Sequence, residues 1–264
     1  MDKAPLTEHL GELRNRIVVS LVVVLGIFMF SFYYSEDIFR LLTMPLRYTI
    51  NFSLETPYLS FLPGKFFDQK LTVLRPAEAL WTHMKIGFIS ALVLSSPVLF
   101  YELWKFISPG LIEKERKYAL PFVLCTSTLF LIGSLFCFFI VLPFAMNFLQ
   151  DYKMESLNFS WTIEYYVDFC LKFILAFGAV FELPVVTVFL TKLGIVTPDF
   201  LAKHRKYAVL AAFVIAALLT PTPDAFNQTL MAVPIIILYE VGILASRIFN
   251  RKKVMPDSEL PAVD

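Results

Sequence analysis

The sequence predicts an all-α integral membrane protein built from six transmembrane helices. Of its 264 residues, 58% are apolar and 16% are aromatic, and the mean hydropathy is +0.69. Soluble globular domains are markedly less apolar. Apolar runs recur that can cross about 30 Å of hydrocarbon at 1.5 Å per residue. Prolines within these runs predict curved helices, and hence a cupped body with a concave face rather than a tight bundle.

The apolar runs define a single membrane domain over residues 1–250. The tail, 251–264, is predicted to be cytoplasmic and disordered. The first run is too long for a cleaved signal peptide and is expected to stay attached. The fifth covers only about 21 Å as a helix, and the fifth and sixth helices are predicted to be short. The six predicted spans are 17–35, 79–101, 118–142, 165–191, 207–220 and 226–246.

The distribution of Lys and Arg between the spans predicts the orientation. Fifteen of these residues lie in the amino-terminal segment, the 102–117 and 192–206 loops and the tail, which all fall on one side. The other side has only Lys153 in its short loops, and the long 36–78 segment is of a length at which the rule weakens. Both termini are therefore predicted to be cytoplasmic.

Prolines mark the predicted bends. Pro97, Pro184 and Pro234 lie inside spans, and Pro121 and Pro143 lie near the ends of the third. An interior proline removes a backbone donor and kinks its helix. Membrane helices tolerate single prolines, so no one of the five establishes a bend. Together they predict curvature.

Composition and motifs point away from an enzyme. The formal charge of +1 gives no reason to expect nucleic acid as a partner. The sequence contains no G-x-x-x-x-G-K-[ST], H-E-x-x-H or G-x-S-x-G, so neither nucleotide hydrolysis nor intramembrane proteolysis is predicted. Cys125, Cys137 and Cys170 lie in apolar runs without C-x-x-C spacing, which predicts no disulfide and no metal site. No cofactor is expected.

Acidic residues inside the spans need a reason, because a charge near mid-membrane costs about 2.5–3.5 kcal/mol on insertion scales. Glu182 in "AFGAVFELPVV" has two possible roles. It is either a protonated or paired residue beside Pro184, or a polar group on a concave face that water can reach. The sequence favours neither. Asp168 and Lys172 have the i,i+4 spacing of an ion pair, and Glu240 lies near the cytoplasmic interface.

The stretch "LTEHLGELRNRI" predicts an amphipathic helix lying on the cytoplasmic surface. Its two carboxylates could be displayed to a cation, or Glu12 could simply pair with Arg16 four residues on. Spacing alone favours the pair. The apolar stripe is Leu6, Leu10, Leu13 and Ile17, and the opposite face carries Glu8, Glu12 and Asn15.

A second acidic and basic cluster, "WKFISPGLIEKERKY", lies between spans two and three on the same side. The Ser108-Pro109-Gly110 run predicts a turn. Glu113 and Glu115 then fall near the positive end of the next helix dipole. Two displayed carboxylate sites on one surface could bind two guanidinium groups.

Several blocks of the chain together resemble TatC, the signal-peptide receptor of the twin-arginine protein translocase. They cover residues 6–249 in the family's order. The blocks are "HLGELRNRI", Met44-Pro45-Leu46, "FISPGLIEKER", "FGAVFELPV" and "LTPTPDAFNQTLMAVP".

The resemblance implies a cupped six-helix fold with cytoplasmic termini in the bacterial cytoplasmic membrane. It implies a multimeric receptor complex with TatA-type and TatB-type single-span proteins. The substrates would be folded proteins with paired-arginine signal peptides, moved by the proton-motive force.

The resemblance also implies residue roles. Glu12 and Arg14 match the family's E-L-R before span one, and Glu115 matches its glutamate before span three. These acids lie in the family's signal-recognition site, and Phe106 and Pro109 match the aromatic residue and the proline of that loop.

Further matches lie elsewhere in the chain. Pro45 matches the proline after span one, and Glu182 matches the acid of span four. Asp224 aligns less directly, since the turn from Thr220 is one residue longer than the family's. Thr220 and Gln228 are expected either to dock a single-span partner or to cap their own helices.

Two other functions fit the composition. A proton-coupled small-solute transporter could use Glu182 as its protonation site. No internal repeat relates the two halves of the chain, which weighs against this function. A pure assembly scaffold would bind no signal peptide.

Overall fold

A computed structural model describes residues 6–52, 59–63, 71–107, 119–151, 162–220 and 224–250. Within these ranges the chain is almost entirely helical, which confirms the predicted all-α class. The exception is a hairpin that pairs Tyr48 with Pro63 and Phe52 with Leu59, where aromatic and branched residues favour strands. The elements are α1 (Leu6–Tyr33), α2 (Ser35–Leu42), α3 (Met44–Arg47), β1 (Tyr48–Phe52), β2 (Leu59–Pro63), α4 (Glu78–Ile107), α5 (Ala119–Phe136), a π-helical segment (Cys137–Val141), α6 (Leu142–Asp151), α7 (Ile163–Val180), α8 (Leu183–Lys192), α9 (Pro198–Lys203), α10 (Arg205–Leu219) and α11 (Ala225–Asn250).

Five stretches of helix in the described chain are long and apolar enough to cross a bilayer. They are Leu10–Tyr33, Glu78–Ile107, Leu120–Leu149, Ile163–Lys192 and Ala225–Phe249. The fifth predicted span, α10, has 15 residues and is short as expected. The prediction that the sixth is also short was wrong, because α11 has 26 residues. It continues past the apolar run through residues 247–250, which no glycine or proline interrupts.

The separate surface helix predicted for residues 6–17 does not exist as a distinct element. It is the first part of α1, which runs unbroken for 28 residues. No proline interrupts this stretch, and Arg16 is held by Glu102 on α4. The amphipathic stretch therefore extends the first span instead of turning away from it.

The helices differ in how deeply they are buried. The core lies among α5, the π-helical segment, α6 and α7, where Tyr166, Phe173 and Phe177 are fully buried. Within an apolar 18-residue stretch of each span, 56% of the residues are buried in the third span but only 11% in the first, which packs chiefly on α4. Most of the surface of α1 is thus left for lipid or another chain.

Two of the five prolines coincide with an interruption of a helix. The π-helical segment Cys137–Val141 ends just before Pro143, and the turn at Phe181 and Glu182 comes just before Pro184. Pro97 and Pro234 lie within helices that continue through them. At these two positions the regular helix is interrupted just before the proline, which leaves room for its ring.

Glu78 joins three segments at the end of the molecule opposite the amino terminus. Its carboxylate accepts hydrogen bonds from the backbone N–H groups of Leu74 (2.7 Å), Arg75 (3.1 Å) and Glu164 (3.2 Å). The side chain is buried, and its charge is stabilised by these three donors. The start of α4 is thereby fixed to the start of α7.

The predicted ion pair between Asp168 and Lys172 is not formed. Asp168 instead accepts a hydrogen bond from Lys85 of α4 at 2.8 Å, and Glu164 lies 3.3 Å from the same ammonium group. Lys172 is exposed. Two carboxylates stabilise the Lys85 ammonium group between the helices. This contributes more than a single ion pair between Asp168 and an exposed lysine on its own helix.

Two glycines let α5 and α7 approach closely. A Cβ atom on Gly133 would lie 2.7 Å from the carbonyl oxygen of Phe177, and one on Gly178 would lie 2.7 Å from the ring of Phe130. Small residues at such crossings let membrane helices gain packing contacts.

We predict that Gly133→Ala destabilises the protein by about 1–3 kcal/mol, because the new methyl group meets backbone that cannot easily move. The thermal unfolding midpoint in detergent measures this. Gly26→Ala is the control, because nothing lies within 4 Å of a Cβ at that position. Both variants gain the same helix propensity from replacing Gly with Ala. Equal midpoints for the two variants would contradict the close approach.

Candidate functional site

The antiparallel pairing of α1 and α4 brings an acidic and a basic group together at the amino-terminal end. Arg16 Nη2 lies 3.1 Å from Glu12 Oε1, and Arg16 Nη1 lies 3.1 Å from Glu102 Oε2. The predicted Glu12–Arg16 pair is therefore confirmed. It is one half of a bridge in which a single guanidinium group contacts two carboxylates.

The two carboxylates of this bridge differ in accessibility. The side chain of Glu12 is 31% exposed and that of Glu102 is 9% exposed. Arg16 Nε is buried and has no hydrogen-bond partner in the described chain. The guanidinium is thus incompletely satisfied, and Glu12 is the acid that another molecule can reach.

A groove of about 480 Å³ runs between α1 and α4 from this bridge. Arg16, Glu102 and Phe106 lie along it, and Phe106 belongs to the last turn of α4. The remaining walls are aliphatic and aromatic apart from Ser20. The groove therefore places an apolar surface directly beside the charged bridge.

Three aromatic rings connect the helix ends on this side of the molecule. The ring centroids of Trp104 and Phe122 lie 4.2 Å apart, and those of Trp104 and Phe189 lie 5.8 Å apart. The ends of α4 and α8 and the start of α5 are thereby held together. Pro109 and Glu115 belong to residues 108–118, between α4 and α5, which lie outside the described residues.

Glu182 lies where the fourth span is interrupted, at the residue before α8 begins. Its Oε1 atom is buried and has no hydrogen-bond partner among the described residues. It stands seven residues before Phe189, about 10 Å along the helix axis and away from the aromatic cluster. A buried carboxyl oxygen without a donor is costly and can accept a hydrogen bond from a guest or from water.

The hairpin of α10 and α11 contains the other predicted polar residues. The hydroxyl of Thr220 donates to the carbonyl of Ala216 at 2.8 Å, and Gln228 Nε2 donates to the carbonyl of Phe213 at 3.0 Å. Both groups therefore have partners inside the chain. Gln228 connects the two helices of the hairpin.

Two further predicted residues have structural contacts. Asp224 accepts hydrogen bonds from Asn227 through its backbone N–H (2.7 Å) and its side chain (2.9 Å), so it caps the start of α11 despite the longer turn. Pro45 is buried in α3, and Arg14 is exposed on α1. Glu240 pairs with Arg205 at 2.6 Å, consistent with a structural role near the membrane interface.

Comparison with known proteins identifies the architecture. The family model for the Sec-independent protein translocase protein (TatC) matches residues 8–234. The Sec-independent protein translocase protein TatC of Desulforapulum autotrophicum is 39% identical over 98% of this chain and 90% of its own length. The protein of the same name from Escherichia coli is 37% identical over 95% of this chain and 91% of its own length.

A crystal structure described as the twin-arginine translocase receptor TatC superimposes with a TM-score of 0.76. It is 35% identical and covers 92% of this chain and 100% of its own.

The chain belongs to the TatC family.

This membership makes the chain a component of the twin-arginine protein translocase and a multi-pass protein of the bacterial cytoplasmic membrane. TatC is a non-enzymatic translocase component, as the motifs predicted. The small-solute transporter is not favoured.

Sequence reasoning missed Glu102 and Lys85 in this chain. Glu102 stands one residue beyond the second predicted span, in "YELW", and Lys85 lies inside that span. The available signal was the position of Glu102, an acidic residue at the end of a span and on the same side as the basic amino-terminal helix. Spacing within one helix cannot show a partner that lies 86 residues away.

Proposed function

We propose that this TatC binds the paired arginines of signal peptides at the amino-terminal end of α1, with Glu12 as one recognition carboxylate. The observation that carries the proposal is that Glu12 already binds a guanidinium group, that of Arg16, while about a third of its side chain stays exposed. The contact is a charge-assisted hydrogen bond of ordinary length. A second arginine side chain can approach the same carboxylate from outside.

We propose Glu115 as the second carboxylate, with Arg14, Phe106 and Pro109 shaping the site. Chain connectivity supports this pairing, because Glu115 stands four residues before Ala119 and so lies within about 14 Å of the start of α5. The start of α5 is held to the end of α4 by the contact of Phe122 with Trp104. Phe106 lines the groove that begins at the Glu12–Arg16 bridge.

The charged contacts supply selectivity more than affinity. Hydrogen bonds to charged groups contribute about 1.5–3 kcal/mol at best, and exposed ion pairs about 0–1 kcal/mol. Binding of about 4 kcal/mol corresponds only to a millimolar dissociation constant. The apolar segment of the signal must therefore contribute most of the affinity, and the groove between α1 and α4 is an apolar surface adjoining Glu12.

Glu182 is proposed to act after recognition. It lies deep in the fourth span and its buried Oε1 lacks a donor in the described chain. A hydrogen-bond acceptor at this position can assist passage of the signal's apolar segment. The twin arginines, which stay at the surface, would not contact it.

We further propose that the amino terminus and the basic loops face the cytoplasm, and that TatA-type and TatB-type single-span proteins join the chain in a multimeric complex. The complex would export folded proteins with the proton-motive force. The hairpin of α10 and α11, with Thr220 and Gln228, is proposed to dock a partner helix. Exposed Leu210, Val214 and Leu218 recur every four residues along α10, which presents an apolar stripe to such a helix.

Replacing Glu12 or Glu115 with Gln is expected to weaken photo-crosslinking of a paired-arginine peptide to the purified protein. The loss should be about three- to tenfold for each and larger for the double variant, because each removes one charge-assisted contact. Glu36→Gln is the control, since Glu36 forms an exposed i,i+4 pair with Arg40 elsewhere. A double variant that still prefers Arg-Arg over Lys-Lys would rule out this site.

Glu182→Ala is expected to leave crosslinking of the signal peptide unchanged and to reduce transport of a folded substrate into membrane vesicles. The reason is that Glu182 lies before α8, outside the groove between α1 and α4, and is proposed to act on the apolar segment only after recognition. Equal loss of binding and transport from a variant with a normal thermal midpoint would contradict this division.

The double variant Thr220→Val and Gln228→Leu is expected to reduce recovery of the TatB-type partner with affinity-purified protein, while signal crosslinking is unimpaired. Both polar groups are removed from the hairpin at nearly constant size. Thr229→Val is the control, because its exposed hydroxyl also donates within its own helix, at 2.6 Å to Ala225. Unchanged partner recovery would remove these two residues from the docking site.

A further inference from the structure

We propose that Arg16 is an internal competitor for the signal's arginines, and that Glu102 is the positioning residue that receives Arg16 when Glu12 is released. This inference rests on the proposed recognition of signal peptides by Glu12. It assigns a role in signal binding to two residues that need not touch the peptide. The exchange breaks the Glu12–Arg16 contact and forms a Glu12–guest contact, so the number of ion pairs is conserved.

The geometry of the bridge supports an exchange. Arg16 uses one terminal nitrogen for each acid, with both N–O distances at 3.1 Å. These two nitrogens together form the fork that a single carboxylate can accept. Once Glu12 leaves, Glu102 can therefore take both nitrogens. The bridge never leaves the guanidinium without an anion.

The difference in burial sets the direction of the exchange. Glu102, at 9% exposed, is shielded from a guest, whereas Glu12, at 31%, is accessible. Losing Glu102 would leave Arg16 with Glu12 as its only partner in the bridge. Release of Glu12 would then leave a partly buried cation without a carboxylate partner, which is unfavourable. Glu102 thus lowers the cost of freeing Glu12.

The same competition affects how far each guest occupies the site. A guest must displace a guanidinium group that is already in place, so a weaker ligand is rejected. An ammonium group keeps the charge but lacks the planar fork, and it is the more strongly hydrated ion. A competitor common to both guests weakens each by the same factor, so the ratio of their dissociation constants is unchanged and the site is emptied of the weaker guest first. Arg16 therefore limits how far a weak Lys-Lys signal can occupy the site, while the guanidinium fork sets the difference in affinity between Arg and Lys.

A double-mutant cycle on the purified full chain tests the inference, with Arg-Arg and Lys-Lys signal peptides as probes. We expect Glu102→Gln to weaken Arg-Arg binding roughly three- to tenfold, a typical effect of one charged contact. Arg16→Gln should strengthen binding of both peptides by the same factor and leave the ratio of their dissociation constants unchanged. In the Arg16→Gln background, Glu102→Gln should change nothing further.

Equal weakening by Glu102→Gln in both backgrounds, or no effect in either, would overturn the inference, because then Glu102 acts directly or not at all. Arg40→Gln, in the exposed pair with Glu36, is the matched control for charge and spacing. Thermal midpoints report folding. If Arg16→Gln does not fold, Arg16→Lys takes its place in the cycle, with a smaller gain in binding expected because the ammonium group keeps the charge but lacks the fork.

The outcome also separates this inference from the proposed function. If Glu12→Gln leaves Arg-Arg binding unaltered and the native chain shows no preference over Lys-Lys, the recognition site itself is wrong. If Glu12→Gln weakens binding but the cycle shows no coupling between Arg16 and Glu102, only the internal competitor is wrong.

Discussion

The contact of α1 with α4 is the constraint on which the proposed site depends. α1 packs chiefly on this one helix and is otherwise exposed. At one end Gly87 lets the backbone of Phe32 approach, since a Cβ on Gly87 would lie 3.1 Å from the Phe32 Cα. Just beyond α1, Ser35 Oγ of α2 lies 3.0 Å from His83 Nδ1 of α4. At the other end Arg16 contacts Glu102. The position of Glu12 follows from this pairing alone.

The two ends of the helix pair use charge differently. At the end opposite the amino terminus, the Glu78 carboxylate accepts three backbone hydrogen bonds and the Lys85 ammonium contacts two carboxylates. Groups with complete sets of partners hold elements rigidly. At the amino-terminal end, two acids share Arg16, whose Nε lacks a partner in the described chain. Incomplete satisfaction is what a site needs if it is to accept an outside ligand.

Much of the fold could be predicted from the sequence, because crossing a bilayer demands long apolar helices and little else. The short α10 and the helix interruption before Pro184 followed from length and from proline chemistry. The length of α11 did not, since its last residues, 247–250, extend the helix past the apolar run predicted as the sixth span. The continuity of α1 could not be predicted either, because it depends on the contact of Arg16 with Glu102 on another helix. The Glu12–Arg16 pair was readable because it lies within one helix turn.

What sequence could not show was the partner of each charge between helices. Asp168 had a suitable lysine four residues away, yet it pairs with Lys85, because the helix interface offers that ammonium two carboxylates and an exposed neighbour offers only one. Arg16 shows the same effect, with one acid on its own helix and one on α4. A local spacing rule finds the contact that a helix makes by itself. Contacts that join helices, and that therefore determine how a receptor can exchange one partner for another, become visible only when the helices are packed.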